Sequence, residues 1–343
     1  MDLSDINMAS DQSFIKKLTH ERLKYYLTPS DHNYEAFSNI VEIGLTSKPK
    51  FLLPQYLYDE KGSKLFELIT EQPEYYVTNV EISILESSVN EIADMYNEGI
   101  LVELGSGNSR KTKVILNALF TRRDSLRYFP IDISHKILEE SSEALLKEYQ
   151  NLSITGVVAE YNKGITLIKK DTPSRKLVVL LGSSLGNFNP AEAKKFVKMI
   201  SDNIQDGDMF LIGLDMHKDS NILNAAYNDS RGITAQFNLN ILERINLELN
   251  GNFNSEKFEH HAFYNESKRR VEMHLVSKVE QEVNIRGIKE IIKFKKDESI
   301  HTENSYKFTS EQIENMIKES FQIVKIWTDK KKWYSVILMT PIK

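Results

Sequence analysis

The sequence comprises 343 residues, 41% of them hydrophobic, a length that predicts two lobes or one domain with a large insertion. Its formal net charge of -5, without a long basic run, argues against a nucleic-acid-binding or anionic-membrane surface and favours small-molecule chemistry. The absence of cysteine excludes disulfides, thiolate nucleophiles and zinc-thiolate sites.

The first part of the chain is polar and then becomes rich in aromatic residues. It has no basic region followed by an apolar stretch, and no segment reaches about 18 apolar residues, so we expect a soluble cytoplasmic protein. Residues 14–26 carry apolar side chains at roughly helical spacing, which predicts an amphipathic helix. Residues 51–86 concentrate aromatic side chains, namely Tyr56, Tyr58, Phe66, Tyr75 and Tyr76. These form either ordinary helical core or a ligand-facing cluster, because phenol groups are costly to bury without partners.

A glycine-rich turn follows an apolar strand in residues 100–113, ILVELGSGNSRKTK. Gly105 and Gly107 let the backbone turn sharply and approach a ligand closely before a helix begins. A dinucleotide fingerprint needs a third glycine where this chain has Arg110, which favours a nucleoside without phosphates. S-adenosylmethionine is such a ligand, and a strand-turn-helix without a ligand is the alternative.

Strands and helices then alternate regularly. Strands are predicted at residues 127–131, 153–159, 177–181 and 208–214, and helices at 111–120, 135–149 and 190–204. This alternation predicts a doubly wound parallel sheet, whose ligands bind beyond the carboxyl ends of the strands. Four polar residues lie at the ends of such strands or just after them, and they are expected on one rim: Glu103, Asp132, Glu160 and Asn187. Asp132 lies about one strand-helix-strand unit after Gly107, where a carboxylate can accept both ribose hydroxyls of a nucleoside. An exposed loop aspartate is the alternative, but this position favours nucleoside binding.

The pattern changes beyond residue 214. Residues 220–249 are predicted to be helical, residues 269–281 and 291–294 to be strands, and the segment SIHTENSYKF follows at 299–308. A helix at 310–319 and two strands at 321–328 and 333–340 close the chain. A terminal antiparallel hairpin on a parallel sheet is typical of methyltransferases, whereas nicotinamide-binding folds more often continue with parallel units.

The predicted fold class is therefore α/β, a doubly wound, Rossmann-like class I methyltransferase core with a C-terminal antiparallel hairpin and a second α+β substrate-binding lobe. Residues 1–26 are predicted to be a polar N-terminal segment. Residues 27–79 and 218–307 are predicted to form the discontinuous substrate-binding lobe, and residues 80–217 and 308–343 the S-adenosylmethionine-binding core.

Several long motifs support a more specific interpretation. They are LPQYLYDEKGSKLFELITEQPEYY, LVELGSGNSRKT, YFPIDIS, LGSSLGNF, YNDSRGITAQFNLNILERIN, EMHLVS and IHTENSYKF. In order and approximate spacing they resemble the histidine Nα-methyltransferases of ergothioneine biosynthesis, which make hercynine (trimethylhistidine) from histidine and S-adenosylmethionine. The resemblance covers nearly the whole chain after about residue 35, and it suggests a monomer.

The resemblance implies roles for individual residues. Contacts with S-adenosylmethionine are implied for Gly105, Lys111, Asp132, Glu160 and Tyr161, the last two near the adenine, where the family has Asp-Phe. Contacts with the amino-acid substrate are implied for Tyr75, Asn187, Tyr227, Met273, Glu303, Asn304, Ser305 and Phe66. Among these, Asn187 and Tyr227 would hold the carboxylate, and Tyr75, Glu303 and Ser305 would surround the imidazole. Tyr58 and Phe66 would form an aromatic wall near the α-amine, with Tyr58 as a possible proton acceptor.

The chemistry of these residue types agrees with the implied roles. An imidazole offers one donor and one acceptor nitrogen, which match a glutamate beside a serine hydroxyl. No metal-ligand spacing surrounds the histidines, so we expect no metal, and no nucleic-acid or membrane partner. Two alternatives remain: the same chemistry on tryptophan or a prenylated tryptophan, and a noncatalytic S-adenosylmethionine-binding sensor or partner subunit.

Overall fold

The computed structural model describes residues 14–28, 30–286, 288 and 290–342. The strands in chain order are β1 (Ile15–His20), β2 (Leu23–Leu27), β3 (Lys50–Phe51), β4 (Ile100–Leu104), β5 (Leu126–Asp132), β6 (Leu152–Val158), β7 (Lys176–Leu180), β8 (Met209–Asp215), β9 (Phe258–Asn265), β10 (Arg270–Ser277), β11 (Gln281–Val283), β12 (Ile292–Phe294), β13 (Ser299–Tyr306), β14 (Phe321–Thr328) and β15 (Tyr334–Pro341). The helices are α1 (Ser30–Thr46), α2 (Glu60–Thr70), α3 (Tyr76–Met95), α4 (Arg110–Phe120), α5 (His135–Glu148), α6 (Tyr161–Asp171), α7 (Pro190–Asn203), α8 (Ser220–Ala226), α9 (Ile233–Leu249) and α10 (Ser310–Ile317).

A large sheet with the strand order β1-β2-β6-β5-β4-β7-β8-β15-β14 lies at the centre of the fold. The six strands from β2 to β8 in this order run parallel. The hairpin of β14 and β15 is added antiparallel to β8. The chain order reverses at β4, which places the glycine turn after β4 at the topological switch point where such sheets bind ligands. The predicted doubly wound sheet with its C-terminal hairpin is therefore confirmed.

Both faces of this sheet are covered, which explains why its central strands are apolar runs. All five residues of β4 are buried. Leu101 belongs to the hydrophobic core on one face, whereas Val102 and Leu104 belong to the core on the other. This arrangement follows from the alternation of side chains along a strand between two layers of helices. In the part of the chain that the structure describes, no helix is long and apolar enough to cross a membrane.

The predicted amphipathic helix at residues 14–26 is wrong. This segment forms β1 and β2, and β2 pairs in parallel with β6 at the edge of the large sheet. Leu23 and Tyr25 are buried, whereas Lys24 and Tyr26 between them are only half-buried, which is the two-residue period of a strand. Residues 1–13 of the predicted polar N-terminal segment lie outside the described residues.

A smaller sheet stands beyond the carboxyl ends of the large sheet's strands, with the order β3-β13-β10-β9. Its strand β3 comes from the part of the chain before the core, and it pairs in parallel with β13. The other three strands are antiparallel neighbours. The division of the chain into the predicted core and substrate-binding lobe stays a prediction.

The single helix predicted at residues 220–249 is in fact two helices, α8 and α9, separated by a turn. Gly232 has a φ of 68° at this turn. The carboxylate of Asp229 accepts hydrogen bonds from the backbone N–H groups of Ile233 (2.8 Å) and Thr234 (2.7 Å). Because these amides have no partner inside the helix, the aspartate caps the start of α9.

Candidate active site

The glycine turn has the backbone conformation that its sequence predicts. Gly105 and Gly107 have φ angles of 74° and 48°, a region that side chains rarely adopt. A Cβ atom on Gly105 would lie 2.6 Å from the Tyr161 hydroxyl. The turn therefore needs glycine at position 105, both for its conformation and for the close approach of Tyr161.

Asp132 lies directly beside this turn at the end of β5. One carboxylate oxygen accepts a hydrogen bond from Gly107 N–H (3.3 Å), and the other accepts one from Ser134 N–H (2.9 Å). Burial raises the pKa of Asp132, although these backbone donors oppose the increase. The carboxylate is thus held in a fixed position next to the surface where a nucleoside would lie.

Glu103 was predicted to lie with Asp132 on the rim at the carboxyl ends of the strands, but it is buried beneath the glycine turn. Its side chain is 2% exposed and accepts hydrogen bonds from Thr112 (2.6 Å) and Tyr128. Burial raises the pKa of Glu103 to about 7. The residue therefore joins β4 to α4 and β5 under the turn.

Glu160 and Tyr161 stand at the start of α6, opposite the turn. Glu160 is the residue before the helix, and its half-exposed carboxylate lies 3.9 Å from the Lys163 ammonium group. Burial and the neighbouring carboxylates of Asp132 and Glu103 raise the pKa of Tyr161. The structure thus brings Gly105, Asp132 and Tyr161 together.

Lys111 contacts Glu81, a buried residue that was not predicted from the sequence. Its ammonium group forms an ion pair with Glu81 (2.8 Å), whose side chain is fully buried. Glu81 also accepts hydrogen bonds from Gly182 N–H (2.9 and 3.0 Å) and from the Tyr334 hydroxyl (2.8 Å). One feature of the sequence could have identified Glu81: it is an acidic residue on the apolar face of α3, at helical spacing between Val77 and Leu85.

The aromatic residues predicted near the α-amine form one connected cluster. Tyr58 packs edge-on against Phe66, with ring centroids 5.4 Å apart. Phe66 contacts Tyr75 (6.1 Å), and Tyr75 contacts Tyr227 (6.2 Å). Phe237 of α9, which the sequence did not single out, lies 5.2 Å from Tyr58 and 5.9 Å from Phe66. These rings are packed together as the core interpretation predicts, and the ligand-facing interpretation stays a prediction.

Tyr227 and Ser305 meet in a buried polar network. The Tyr227 hydroxyl donates to Ser305 Oγ at 2.7 Å. The ammonium group of Lys307 lies within hydrogen-bonding distance of Ser305 Oγ (2.8 Å), the Tyr227 hydroxyl (3.1 Å) and a carboxylate oxygen of Asp215 (2.8 Å). The side chains of Lys307 and Asp215 have no exposed surface. Sequence reasoning missed both residues.

The carboxylate of Asp215, at the end of β8, also contacts Tyr76 and Lys218. The Tyr76 hydroxyl lies 2.8 and 2.9 Å from its two oxygens, and Lys218 also forms an ion pair with it. Although burial raises the pKa of Asp215, Lys307 and Lys218 hold it below its usual value. Burial lowers the pKa of Lys218 to about 8. The network therefore contains two buried cations around one carboxylate.

Glu303, Ser305 and Met273 share the inner face of the small sheet. Met273 is 2% exposed and directly opposite Glu303 in the pairing of β10 with β13. Glu303 is 8% exposed, and none of the described residues donates a hydrogen bond to its Oε2 atom. Burial raises the pKa of Glu303 to about 7, and Lys307 opposes this increase. Asn304 lies opposite Glu272, so strand alternation places its side chain on the other face.

Asn187 lies in the 3-10 turn Ser184–Asn187 that follows β7. This turn packs closely on β13, because a Cβ on Gly186 would lie 3.0 Å from the Tyr306 carbonyl oxygen. Asn187 is half-buried there. The turn therefore connects the carboxyl end of the parallel sheet to the strand that carries Glu303 and Ser305.

The residues around the glycine turn fit a nucleoside-bearing ligand such as S-adenosylmethionine. The buried Oγ atom of Ser106 has no hydrogen-bond partner among the described residues, so it is available to a ligand. The bare backbone at Gly105 and the fixed carboxylate of Asp132 complete a surface of donors and acceptors. These groups suit hydroxyl and amine groups and do not depend on a phosphate.

Comparison with known proteins agrees with this geometry. The sequence profile of the family described as "Histidine-specific methyltransferase, SAM-dependent" matches residues 37–341. The chain is 36% identical over 301 residues to the histidine N-alpha-methyltransferase of Mycolicibacterium smegmatis, covering 88% of this chain and 93% of that protein. It is 35% identical to the Mycobacterium tuberculosis protein of the same name, with the same coverage. A more distant relative is the L-tryptophan methyltransferase of Psilocybe serbica, at 27% identity over 86% of this chain and 90% of that protein.

The parallel sheet with its antiparallel hairpin confirms the predicted fold class, and the matched family is described as S-adenosylmethionine-dependent. The chain therefore belongs to the family of histidine-specific, S-adenosylmethionine-dependent methyltransferases, as its motifs predicted.

Proposed function

We propose that this enzyme methylates the α-amino group of L-histidine, up to three times, with S-adenosylmethionine as the methyl donor. The product of three transfers is hercynine (trimethylhistidine). The observation that carries this proposal is the pair of Glu303 and Ser305 on the inner face of β13, beside the aromatic cluster. The matched family and its histidine-methylating relatives support the same substrate.

Glu303 and Ser305 offer complementary hydrogen-bonding groups for an imidazole. Ser305 Oγ already has Tyr227 and Lys307 as neighbouring donors, so its own hydrogen is free to donate. Glu303 Oε2 lacks a partner among the described residues and can accept. One imidazole nitrogen would therefore accept from Ser305 while the other donates to Glu303, which fixes a single neutral tautomer of the substrate.

The remaining substrate roles follow from the positions of the other side chains. Asn187 would donate its amide N–H to the carboxylate, with the charge of Lys307 close by. Tyr227 would also bind the carboxylate once its hydroxyl hydrogen turns from Ser305 Oγ towards it, and Ser305 then keeps Lys307 as a donor. Tyr75 and Met273 would pack against the imidazole, and Phe66 would line the α-amine. Asn304 is left out of this set because its side chain lies on the opposite face of β13.

The co-substrate would be held by Gly105, Lys111, Asp132, Glu160 and Tyr161, with Asp132 accepting the ribose hydroxyls. When bound, S-adenosylmethionine supplies an electrophilic methyl group on a sulfonium centre. The chain's contribution is to align the amine with that group and to exclude water from it. The chemistry needs no metal.

We propose that Tyr58, which packs against Phe66 and Phe237 in the aromatic cluster, lies between the two sites. Its electrostatic neighbours include Glu303 and Tyr75 on the substrate side and Tyr161 on the co-substrate side. Burial first, and then Glu303, raise the pKa of Tyr58 well above its usual value, so the phenol stays protonated at neutral pH. We therefore assign it the relay of the amine proton through its hydroxyl, with water as the final acceptor. The neighbouring rings can also stabilise the growing ammonium charge.

The test is mass spectrometry of the purified enzyme incubated with S-adenosylmethionine and one candidate acceptor at a time: L-histidine, L-tryptophan or a prenylated tryptophan. We expect histidine to gain one, two and then three methyl groups. If a tryptophan substrate gains methyl groups and histidine does not, the proposed specificity is wrong. If no acceptor gains mass while S-adenosylmethionine still binds, the noncatalytic sensor is the correct interpretation.

We further propose that the enzyme works as a monomer in the cytoplasm, without a nucleic-acid or membrane partner. A sequence without cysteine gains nothing from an oxidising compartment. Light scattering coupled to size-exclusion chromatography tests the oligomeric state, and a mass of two chains would contradict it.

A further inference from the structure

A second cluster of ionisable side chains lies on the outer face of the small sheet, opposite the proposed substrate residues. One potential ligand atom from each of Glu272, His274 and His301 lies within 4.8 Å of the others. His274 and His301 face each other across β10 and β13, with ring centroids 4.8 Å apart. His261 on β9 is directly opposite His274, so three imidazoles cross three strands in one row.

We infer that Glu272, His274 and His301 form a binding site for a divalent transition-metal ion such as Zn²⁺ or Co²⁺. Two imidazoles and one carboxylate are a donor set that these ions accept, usually with water in the remaining position. The site is independent of the proposed methyl transfer. It also differs from the expectation that no metal site exists, because its ligands come from two strands and only the folded sheet brings them together.

The hydrogen bonds around the cluster leave ligand atoms available. Arg270 and Asn265 occupy one carboxylate oxygen of Glu272, whereas the other oxygen contacts only His274 Nε2, at 3.2 Å, among the described residues. A metal ion would replace the hydrogen between these two atoms, with His274 in its other neutral tautomer. His301 Nε2 donates to the Glu303 carbonyl oxygen (3.0 Å), which leaves Nδ1 as its free lone pair.

The surroundings favour a structural ion. Glu272 is 6% exposed, and His274 stacks on Phe263 at 5.6 Å, so the first two ligands are held in place. A bound ion would cross-link β10 to β13 directly behind Glu303.

The test uses the full chain with its affinity tag removed, treated with a chelator, and titrated with Co²⁺ in buffer without histidine, since free histidine binds metals. We expect one Co²⁺ per chain, visible absorption bands of a low-coordinate site, and a rise in melting temperature with metal concentration. The single variants His274→Gln and His301→Gln should each weaken binding by about tenfold or more, because each removes a ligand.

Matched control variants are His20→Gln and Glu259→Gln, an exposed histidine and an exposed carboxylate outside the cluster. Both should bind Co²⁺ like the unmodified chain. Unchanged S-adenosylmethionine binding shows that the ligand variants are folded. The inference is wrong if the unmodified chain does not bind one Co²⁺. It is also wrong if His274→Gln and His301→Gln bind Co²⁺ as tightly as the unmodified chain, because hydrogen bonds alone would then explain the cluster.

Discussion

Removal of the Glu303 carboxylate tests the proposed substrate site most directly. In Glu303→Ala the imidazole N–H loses its only proposed acceptor, whereas the residues around the glycine turn are untouched. A hydrogen bond to a charged group contributes about 1.5–3 kcal/mol. Because each 1.4 kcal/mol corresponds to about a tenfold change in binding, the KM for histidine should rise about 10- to 100-fold.

Initial rates over a range of histidine concentrations, at saturating S-adenosylmethionine, measure this KM. Calorimetric affinity for S-adenosylmethionine should stay the same and serves as the control for correct folding. Glu303→Gln keeps a neutral acceptor and should show a smaller increase in KM, because a charge-assisted hydrogen bond is about twice as strong as a neutral one. A KM for histidine that is unchanged in Glu303→Ala would remove Glu303 from the imidazole site.

The same residue makes a prediction about stability. Burial raises the pKa of Glu303 from its unfolded value of 4.5 to about 7, so the folded state favours the protonated acid. The stabilisation of the folded state by the protonated acid is fully present below pH 4.5 and is lost as the pH rises through 7. At 1.36 kcal/mol per pKa unit, it amounts to roughly 3 kcal/mol at most. Glu303→Gln should therefore raise the free energy of unfolding relative to the unmodified enzyme at pH 8, and much less at pH 4. Equal differences at both pH values in denaturant titrations would refute this reasoning.

Three further substitutions test other parts of the proposed sites. Asp132→Ala should weaken S-adenosylmethionine binding about tenfold or more by calorimetry, since ribose acceptors are lost, while histidine affinity stays comparable; equal affinity for the co-substrate would contradict the ribose role. Gly105→Ala should also weaken that binding, because its Cβ would lie 2.6 Å from the Tyr161 hydroxyl, and adding Tyr161→Phe should restore part of it; no restoration would mean that backbone strain alone is responsible. Lys307→Met should lower the free energy of unfolding by about 3 kcal/mol or more, because Asp215 loses a buried cation, and Lys163→Met is the exposed control; equal stability of both variants would show that Lys307 is dispensable.

The sequence predicted the parallel sheet well because its signals are local. Apolar runs such as β4 are buried on both faces, and glycines at positions 105 and 107 adopt the backbone angles that glycine tolerates. The N-terminal strands were missed for a physical reason. The alternation of Leu23 and Tyr25 covers only five residues of β2, and its pairing with β6 depends on residues more than 120 positions away.

The polar networks were harder to predict, because their members are isolated in sequence. Glu81 lies in a helix, Lys111 follows the glycine turn and Tyr334 is near the C-terminus, yet the three side chains meet in one buried network. Individually, glutamate and lysine are most often solvated at the surface, and tyrosine is intermediate in burial. Only burial shows that Glu81 needs its partners, because an unpaired buried carboxylate is costly.

Asp215 lies where the large sheet and the small sheet meet. It ends β8 of the large sheet, and its backbone carbonyl accepts a hydrogen bond from Phe308 N–H (2.9 Å), just after β13 of the small sheet. Its side chain binds Lys307, whose ammonium group reaches Ser305 and Tyr227. The Ser305 hydroxyl, proposed to bind the imidazole, is thus connected through Lys307 to the carboxyl end of β8. Because these contacts are fully buried, a substitution at Asp215 should shift the substrate relative to the methyl donor and so lower kcat. A loss of histidine affinity alone would instead raise KM and leave kcat unchanged.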